Sequence, residues 1–219
     1  PVQRIGISAT MEPLETVAEY LVSSDDRESR GNNTRVCIAK ISGSRELDLD
    51  ILITDPKFSD LSVLKIFEKN VDAIADLIAA HNTTLVFANT RKMTENIVLK
   101  LRPYLGDLVA GHHGSMDKKI RLDVEKQLKH GHLRAVVTSS SLEMGIDIGH
   151  LDEVILVQSP DGISSAIQRI GRAGHGVGET SRCTIYPTHP TDFIEAAVLS
   201  KAVIERDIER IKLIQCPLD

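Results

Sequence analysis

From Thr84 onward the chain repeats one unit: a short, almost wholly apolar run rich in β-branched residues, then a segment whose apolar residues recur at helical spacing. The runs are TLVFAN (84–89), DLVAGH (107–112), LRAVVTS (133–139), EVILVQS (from Glu153) and RCTIYP (182–187). Strands that are apolar along their whole length have no face to offer water. When single helices separate them, a parallel sheet between two helix layers covers both faces. The intervening segments fit that role. Ile120, Val124 and Leu128 recur at four-residue steps in DKKIRLDVEKQLKHG, with charges opposite and Gly131 as a stop. Leu64, Phe67, Val71, Ile74 and Ile78 make a similar stripe upstream. The expected fold class is α/β, an open, mostly parallel sheet with helices on both faces.

The first 60 residues follow another rhythm. RIGISAT reads as a strand, EPLETVAEYL as a helix with Pro13 in its first turn, and VCIAKI with LDLDILIT as a hairpin around SGSRE. SSDDRESRGNNTR (23–35) is a polar loop. The expected division is therefore residues 1–35 as the end of a preceding domain with a joining segment, and 36–219 as the α/β domain. Residues 190–214 read as one long helix with Phe193, Ala197, Ile204, Ile208 and Ile211 along one side.

Bulk properties narrow the functions. No run approaches the roughly 18 apolar residues of a membrane helix, and PVQRIGISAT lacks the layout of a signal peptide, so a cytoplasmic protein with no membrane partner is expected. Cys37, Cys183 and Cys216 are odd in number and far apart, which fits neither a disulfide framework nor a zinc site. A net charge of −5 argues against strong autonomous nucleic-acid binding, which rests on lysines and arginines neutralising phosphates. Any such contact has to be local.

In an open parallel sheet the binding crevice lies beyond the carboxyl ends of the strands. Here those ends are followed by NTRK (89–92), HHGS (112–115), SSS (139–141) and SP (159–160). Small hydroxyls, histidines and a basic pair thus meet on one edge, and the first three loops each open a helix whose free N–H groups accept phosphate oxygens. Thr90 and Ser115 also read as ordinary helix caps. QRIGRAGHGVGETSR (168–182) ends the helix after EVILVQS, on which Ile163, Ala166, Ile167 and Ile170 face the sheet. It sets Gln168, Arg169, Arg172 and His175 among glycines that admit a phosphate or another chain. Favourable basic residues at a solvated helix terminus would look the same. No lysine is followed by Ser or Thr, so the phosphate-cradling G-x-x-x-x-G-K-[ST] is absent, and the Asp152-Glu153 pair opens a strand rather than ending one. Arginines suited to a transferring phosphate, with nothing to hold the nucleotide or its metal, make half an active site.

These segments together resemble superfamily 2 helicases over essentially the whole chain. SAT (8–10) resembles motif III, LVFANTRKMTE motif IV, GHHGS motif IVa, TSSSLEMGIDIG motif V and QRIGRAGH motif VI. HHGS, SLEMGIDIG and a motif VI ending in histidine are most similar to the large helicase-related, or Lhr-type, group. The resemblance implies the second RecA-like motor domain of an ATP-dependent 3′–5′ helicase, preceded by the end of the first and incomplete as an ATPase alone. Its cofactors would be ATP and Mg²⁺, shared with the first motor domain. Its partners would be that domain and single-stranded or partly duplex nucleic acid, DNA ahead of RNA.

By the same resemblance Arg172 is the arginine finger, with Arg169 and Gln168 lining its cleft. Gly145 and Asp147 bridge nucleotide and nucleic acid, and His175 replaces a second arginine found in many members. Thr90, Arg91, His113, Gly114, Ser115, Thr138 and Ser139 hold strand phosphates, and Ser8 and Thr10 couple hydrolysis to domain movement. The alternatives are a Ski-like or DEAD-box RNA helicase domain, or a non-catalytic RecA-like module that binds or scaffolds.

Overall fold

The computed structural model describes residues 3–8, 10–21, 36–40, 46–143, 148–174 and 180–211. Six described strands form one sheet: β1 (Leu47–Ile51), β2 (Thr84–Ala88), β3 (Val109–His112), β4 (Ala135–Thr138), β5 (Glu153–Val157) and β6 (Ser181–Tyr186). They lie in the order β1-β6-β5-β2-β4-β3, and every pairing is parallel. The described helices are α1 (Leu14–Leu21), α2 (Val63–Ala80), α3 (Arg91–Leu105), α4 (Lys118–Lys129), α5 (Ile163–Ile170) and α6 (Pro190–Glu205). None is long and apolar enough to cross a membrane.

Both faces of the sheet are dry along β2, β4 and β5, as the unbroken apolar strands require. Leu85, Phe87, Val136, Val154, Leu156 and Ile185 point to a core closed by Val124 and Leu128 of α4, Ala166 and Ile170 of α5, and Ala196, Leu199 and Val203 of α6. Their neighbours Val86, Ala88, Val137, Ile155 and Val157 point the other way, onto Phe67, Val71, Ile74 and Ile78 of α2 and Ile97 and Leu101 of α3. The period of two along each strand thus divides one apolar run between two cores. Leu64 and Ile120, which complete the sequence stripes, are exposed at the ends of their helices.

Four expectations for the chain's two ends are corrected. Described residues 4–8 of RIGISAT are not a strand. They have no ladder partner, and Ile7 is 94% exposed. The hairpin is not formed: 36–40 is not a strand, and Leu47–Ile51 runs parallel to Ser181–Tyr186 as the sheet's edge. Its alternating burial, one face inward, suits that edge as well as it would a hairpin, so the pattern alone could not choose the partner. Helix α1 begins at Leu14, with Pro13 just ahead of it. The last helix stops at Glu205, where Arg206 takes a left-handed conformation (φ 56°), and Ala197 and Ile204 face solvent.

A buried carboxylate sets which side of α6 turns inward. Asp192 accepts the Ser159 N–H at 2.9 Å, the Thr188 N–H at 2.7 Å and the Thr188 hydroxyl at 3.1 Å, binding the ends of β5 and β6 to the first turn of α6. At the opposite edge Asp152 accepts the N–H groups of Asn82 and Thr83 (2.8 and 3.1 Å), and Glu153 is buried and accepts the Thr184 hydroxyl at 2.9 Å. That acidic pair aligns strand starts, away from the strand-end loops. Replacing Asp192 by alanine strands three buried donors, so Asp192→Ala should cost about 3 kcal/mol in chemical denaturation. A loss below about 0.5 kcal/mol would mean that water replaces the carboxylate without cost.

Candidate functional site

Because all six strands run the same way, the loops after β2, β3, β4 and β5 emerge on one edge, and hydrogen bonds knit them together. The Thr90 hydroxyl caps α3 by accepting the Met93 N–H at 3.1 Å. Beside it Arg91 Nη1 donates to Ser115 Oγ at 2.8 Å, joining the loops after β2 and β3. Ser115 is not a cap. The chain first makes a turn, with the Met116 N–H on the His113 carbonyl at 3.0 Å, and Asp117 then caps α4 by accepting the Lys119 N–H at 2.7 Å. A Cβ on Gly114 would meet open space. His113 is buried, its Nε2 3.3 Å from Glu95 Oε1.

The loop after β4 opens a single 3₁₀ turn, Ser140–Leu142. The Thr138 hydroxyl is buried and committed to that turn, 3.2 Å from Ser141 Oγ and 3.3 Å from the Ser139 carbonyl, so Ser139 is the hydroxyl residue left nearer the surface. His112 holds the turn from behind, with Nδ1 2.8 Å from Ser141 Oγ and Nε2 2.9 Å from Glu125 Oε1. Burial pulls the His112 pKa below its ordinary value against the opposing pull of Glu125.

The end of α5 reaches into these loops. Arg169 is only 5% exposed, so its place is not a solvated helix terminus. Its Nε donates to Glu143 Oε2 and its Nη1 to Asn89 Oδ1, each at 3.0 Å, while the guanidinium carbon sits 5.3 Å from the centre of the Phe87 ring. Asn89 in turn donates to the Ser159 carbonyl at 2.6 Å. Arg172, half-buried just past the helix, donates from Nε and Nη2 to the Glu143 carbonyl at 3.1 and 2.7 Å. Burial lowers its pKa while Glu143 raises it, and the group stays a cation. Gln168 Nε2 donates to Thr10 Oγ1 at 2.7 Å, and the Thr10 N–H donates to Ser8 Oγ at 3.3 Å, so the N-terminal segment meets α5 directly.

Gly174 closes this end at φ 65°, where a Cβ would lie 2.9 Å from the Thr180 carbonyl oxygen. Gly145, Asp147 and His175 lie outside the described residues. Sequence reasoning missed Asn89 and Glu143. Each is a polar residue in a loop that follows a strand, opposite an arginine that lies far away in the chain, and that pairing is the signal that could have found them.

The helicase conserved C-terminal domain family matches residues 69–176. The ATP-dependent helicase Lhr-Core of Methanothermobacter thermautotrophicus is 39% identical over 221 residues, covering 99% of this chain and 25% of its own length. The structure of Mycobacterium smegmatis helicase Lhr bound to ssDNA and AMP-PNP superposes with a TM-score of 0.88 at 38% identity, over 97% of this chain and 28% of that one. The chain belongs to the Lhr-type helicase family. It spans about a quarter of the length of this curated Lhr-Core relative. The C-terminal domain of the DEAD-box protein Dbp5, at 19% identity and a TM-score of 0.53 over 76% of this chain and 87% of its own, shares the fold. The Lhr-type domain is thus RecA-like, and the segments that carry Arg91, Ser115, Glu143, Arg169 and Arg172 meet on one edge.

Removing the buried Arg169 leaves a part-buried carboxylate, Glu143, and a part-buried amide, Asn89, without their donor. Arg169→Ala should cost about 3–5 kcal/mol in denaturant unfolding of this chain, whereas Arg182→Ala, whose Asp48 partner is 3.9 Å away with both side chains more than half exposed, should change stability by less than about 0.5 kcal/mol. Similar losses at the two sites would contradict the structural role given to Arg169.

Proposed function

We propose that this domain is the second motor half of an ATP-dependent 3′–5′ helicase that tracks single-stranded or partly duplex nucleic acid, with DNA as its substrate. The observation that carries the reading is the fixed cation at the end of α5: Arg172 is half-buried and held by two donor groups on one carbonyl at the strand-end edge. The donor set fits a phosphate: a guanidinium, the Gln168 amide, and loop N–H groups at helix starts. Among the described residues no cluster of three or more His, Cys, Asp or Glu could hold a metal ion. Mg²⁺ and the cradle of the β- and γ-phosphates therefore fall, in this reading, to the first motor domain of the same polypeptide, and residues 1–35 form the end of that domain and the joining segment.

ATP, when bound with its metal, supplies the transferable phosphoryl group. This chain's residues act on charge and position. Arg172 stabilises the negative charge that spreads over the equatorial oxygens, and its preset guanidinium needs no reorganisation as the charge develops. Arg169 acts through Glu143 and Asn89 by holding the loops that frame the cleft. By resemblance Gly145 and Asp147 would bridge nucleotide and nucleic acid, and His175 would stand in place of a second arginine. Thr90, Arg91, Gly114, Ser115 and Ser139 offer hydroxyls, a guanidinium and open backbone to strand phosphates, with His113 and Thr138 supporting them from behind. The Gln168–Thr10 bond links the nucleotide end of α5 to the segment that leads to the first domain, and with Ser8 it couples hydrolysis to movement.

Alone, the chain is incomplete as an ATPase. In the intact polypeptide Arg172→Ala should lower nucleic-acid-stimulated turnover on the order of 10³-fold or more. It should leave strand affinity within about twofold, because the phosphate contacts lie on other loops. Arg172→Lys should rescue little, since an ammonium lacks the planar fork. Steady-state hydrolysis and strand affinity measured side by side decide the matter. Normal turnover, or affinity lost in proportion to rate, would give this arginine a different role.

A further inference from the structure

After α6 ends, the chain runs back along α5 and ties its first turn. The Glu209 carboxylate accepts the N–H of Ile163 through Oε1, and the N–H and hydroxyl of Ser164 through Oε2 at 3.0 and 2.9 Å. Gly162, the N-cap residue, supplies no side-chain cap, so a distant carboxylate satisfies donors that the helix leaves open and faces the positive end of its dipole. Burial works against the charged carboxylate, but hydrogen bonds from its own N–H and from Ile163 and Ser164 hold its pKa below the ordinary value.

The next residues are pinned in turn. Arg210 bridges Glu12 in parallel, and the Ile211 N–H donates to the Glu12 carbonyl at 2.7 Å. Two residues before Glu12, Thr10 accepts the amide of Gln168. The circuit closes: the first turn of α5 to Glu209, Glu209 through residues 210–211 to Glu12, Glu12 to Thr10, and Thr10 back to the far half of α5.

An eight-residue helix has little stability of its own, and outside ties decide where its ends sit. We propose that Glu209 is a positioning residue for the reaction. By capping α5 from a strap that is itself pinned to Glu12, it holds Gln168 and Arg172 at the nucleotide cleft. This inference rests on the reading of Arg172 given above. Glu209 is exposed, so its replacement leaves both cores intact. Gly162 provides an independent probe of the same contact, because a Cβ there would lie 2.8 Å from Glu209 Oε1.

The test uses the intact polypeptide. Glu209→Ala should lower kcat for ATP hydrolysis roughly fivefold, the scale of one lost helix cap. The KM for ATP should stay within about twofold, and Glu209→Gln, which keeps one acceptor, should fall between. Gly162→Ala should lower kcat in the native background and add nothing to Glu209→Ala, since both break one contact. Hydrogen exchange should quicken in peptides covering 163–172 and also in those covering 8–12, the far side of the circuit.

Native kcat in Glu209→Ala, additive losses in the double variant, or faster exchange confined to 163–165 would overturn the proposal. Arg172→Ala, run alongside, separates the two readings. If it is inactive while Glu209→Ala is fully active, the strap fails and the site stands. If it is fully active, the site reading fails, and the strap's role in the reaction with it, while exchange at 8–12 still shows whether the circuit holds α5.

Discussion

The site depends on a buried cation. A guanidinium taken out of water has to recover its lost hydration from the protein, and Arg169 does so with the Glu143 carboxylate, the Asn89 amide oxygen and the face of Phe87. Those partners come from the end of β2, the loop after it and the loop after β4, while the arginine itself comes from α5. No one of these loops can shift without uncovering charge in a low-dielectric interior, which makes the arrangement specific even though a buried ion pair adds little net stability. Arg172 inherits that rigidity, because its acceptor is the backbone carbonyl of the same Glu143.

The parallel sheet makes this convergence possible. With every strand pointing the same way, residues as far apart as Asn89, Ser115, Glu143 and Ser159 reach one edge, and two helix layers leave that edge as the open border where polar loops can gather. A domain of net charge −5 can therefore still offer phosphate a local field. In the reading proposed above, the fixed donors at the strand ends would hold phosphate, and the acidic remainder would limit binding elsewhere on the surface.

The central strands were legible in the sequence because burial on both faces left only apolar residues there. The site's motifs were legible because they follow strand ends. What could not be read depended on distance or on a single polar residue. Leu47–Ile51 carries a pattern that serves a hairpin or a parallel edge equally, and only the position of β6 decides. The inward side of α6 follows Asp192 rather than the apolar stripe, because three buried donors outweigh the exposure of Ile204. Arg169 reads as one more basic residue at a helix end until Glu143 and Asn89 are brought to it from 26 and 80 residues away. Glu209 gives no local sign at all, since the helix it caps begins 46 residues earlier.

The central claim is that the end of α5 forms one wall of a nucleotide cleft whose other wall lies elsewhere in the polypeptide. The most direct measurement is a structure of the whole polypeptide with a non-hydrolysable ATP analogue and a single strand. The account predicts the Arg172 guanidinium within hydrogen-bonding distance of the γ-phosphate, Arg169 still on Glu143 and Asn89, and the strand's phosphates along the loops that carry Arg91, Ser115 and Ser139. A nucleotide bound with no contact from the end of α5, or a strand lying across α6 instead of the strand-end edge, would contradict it.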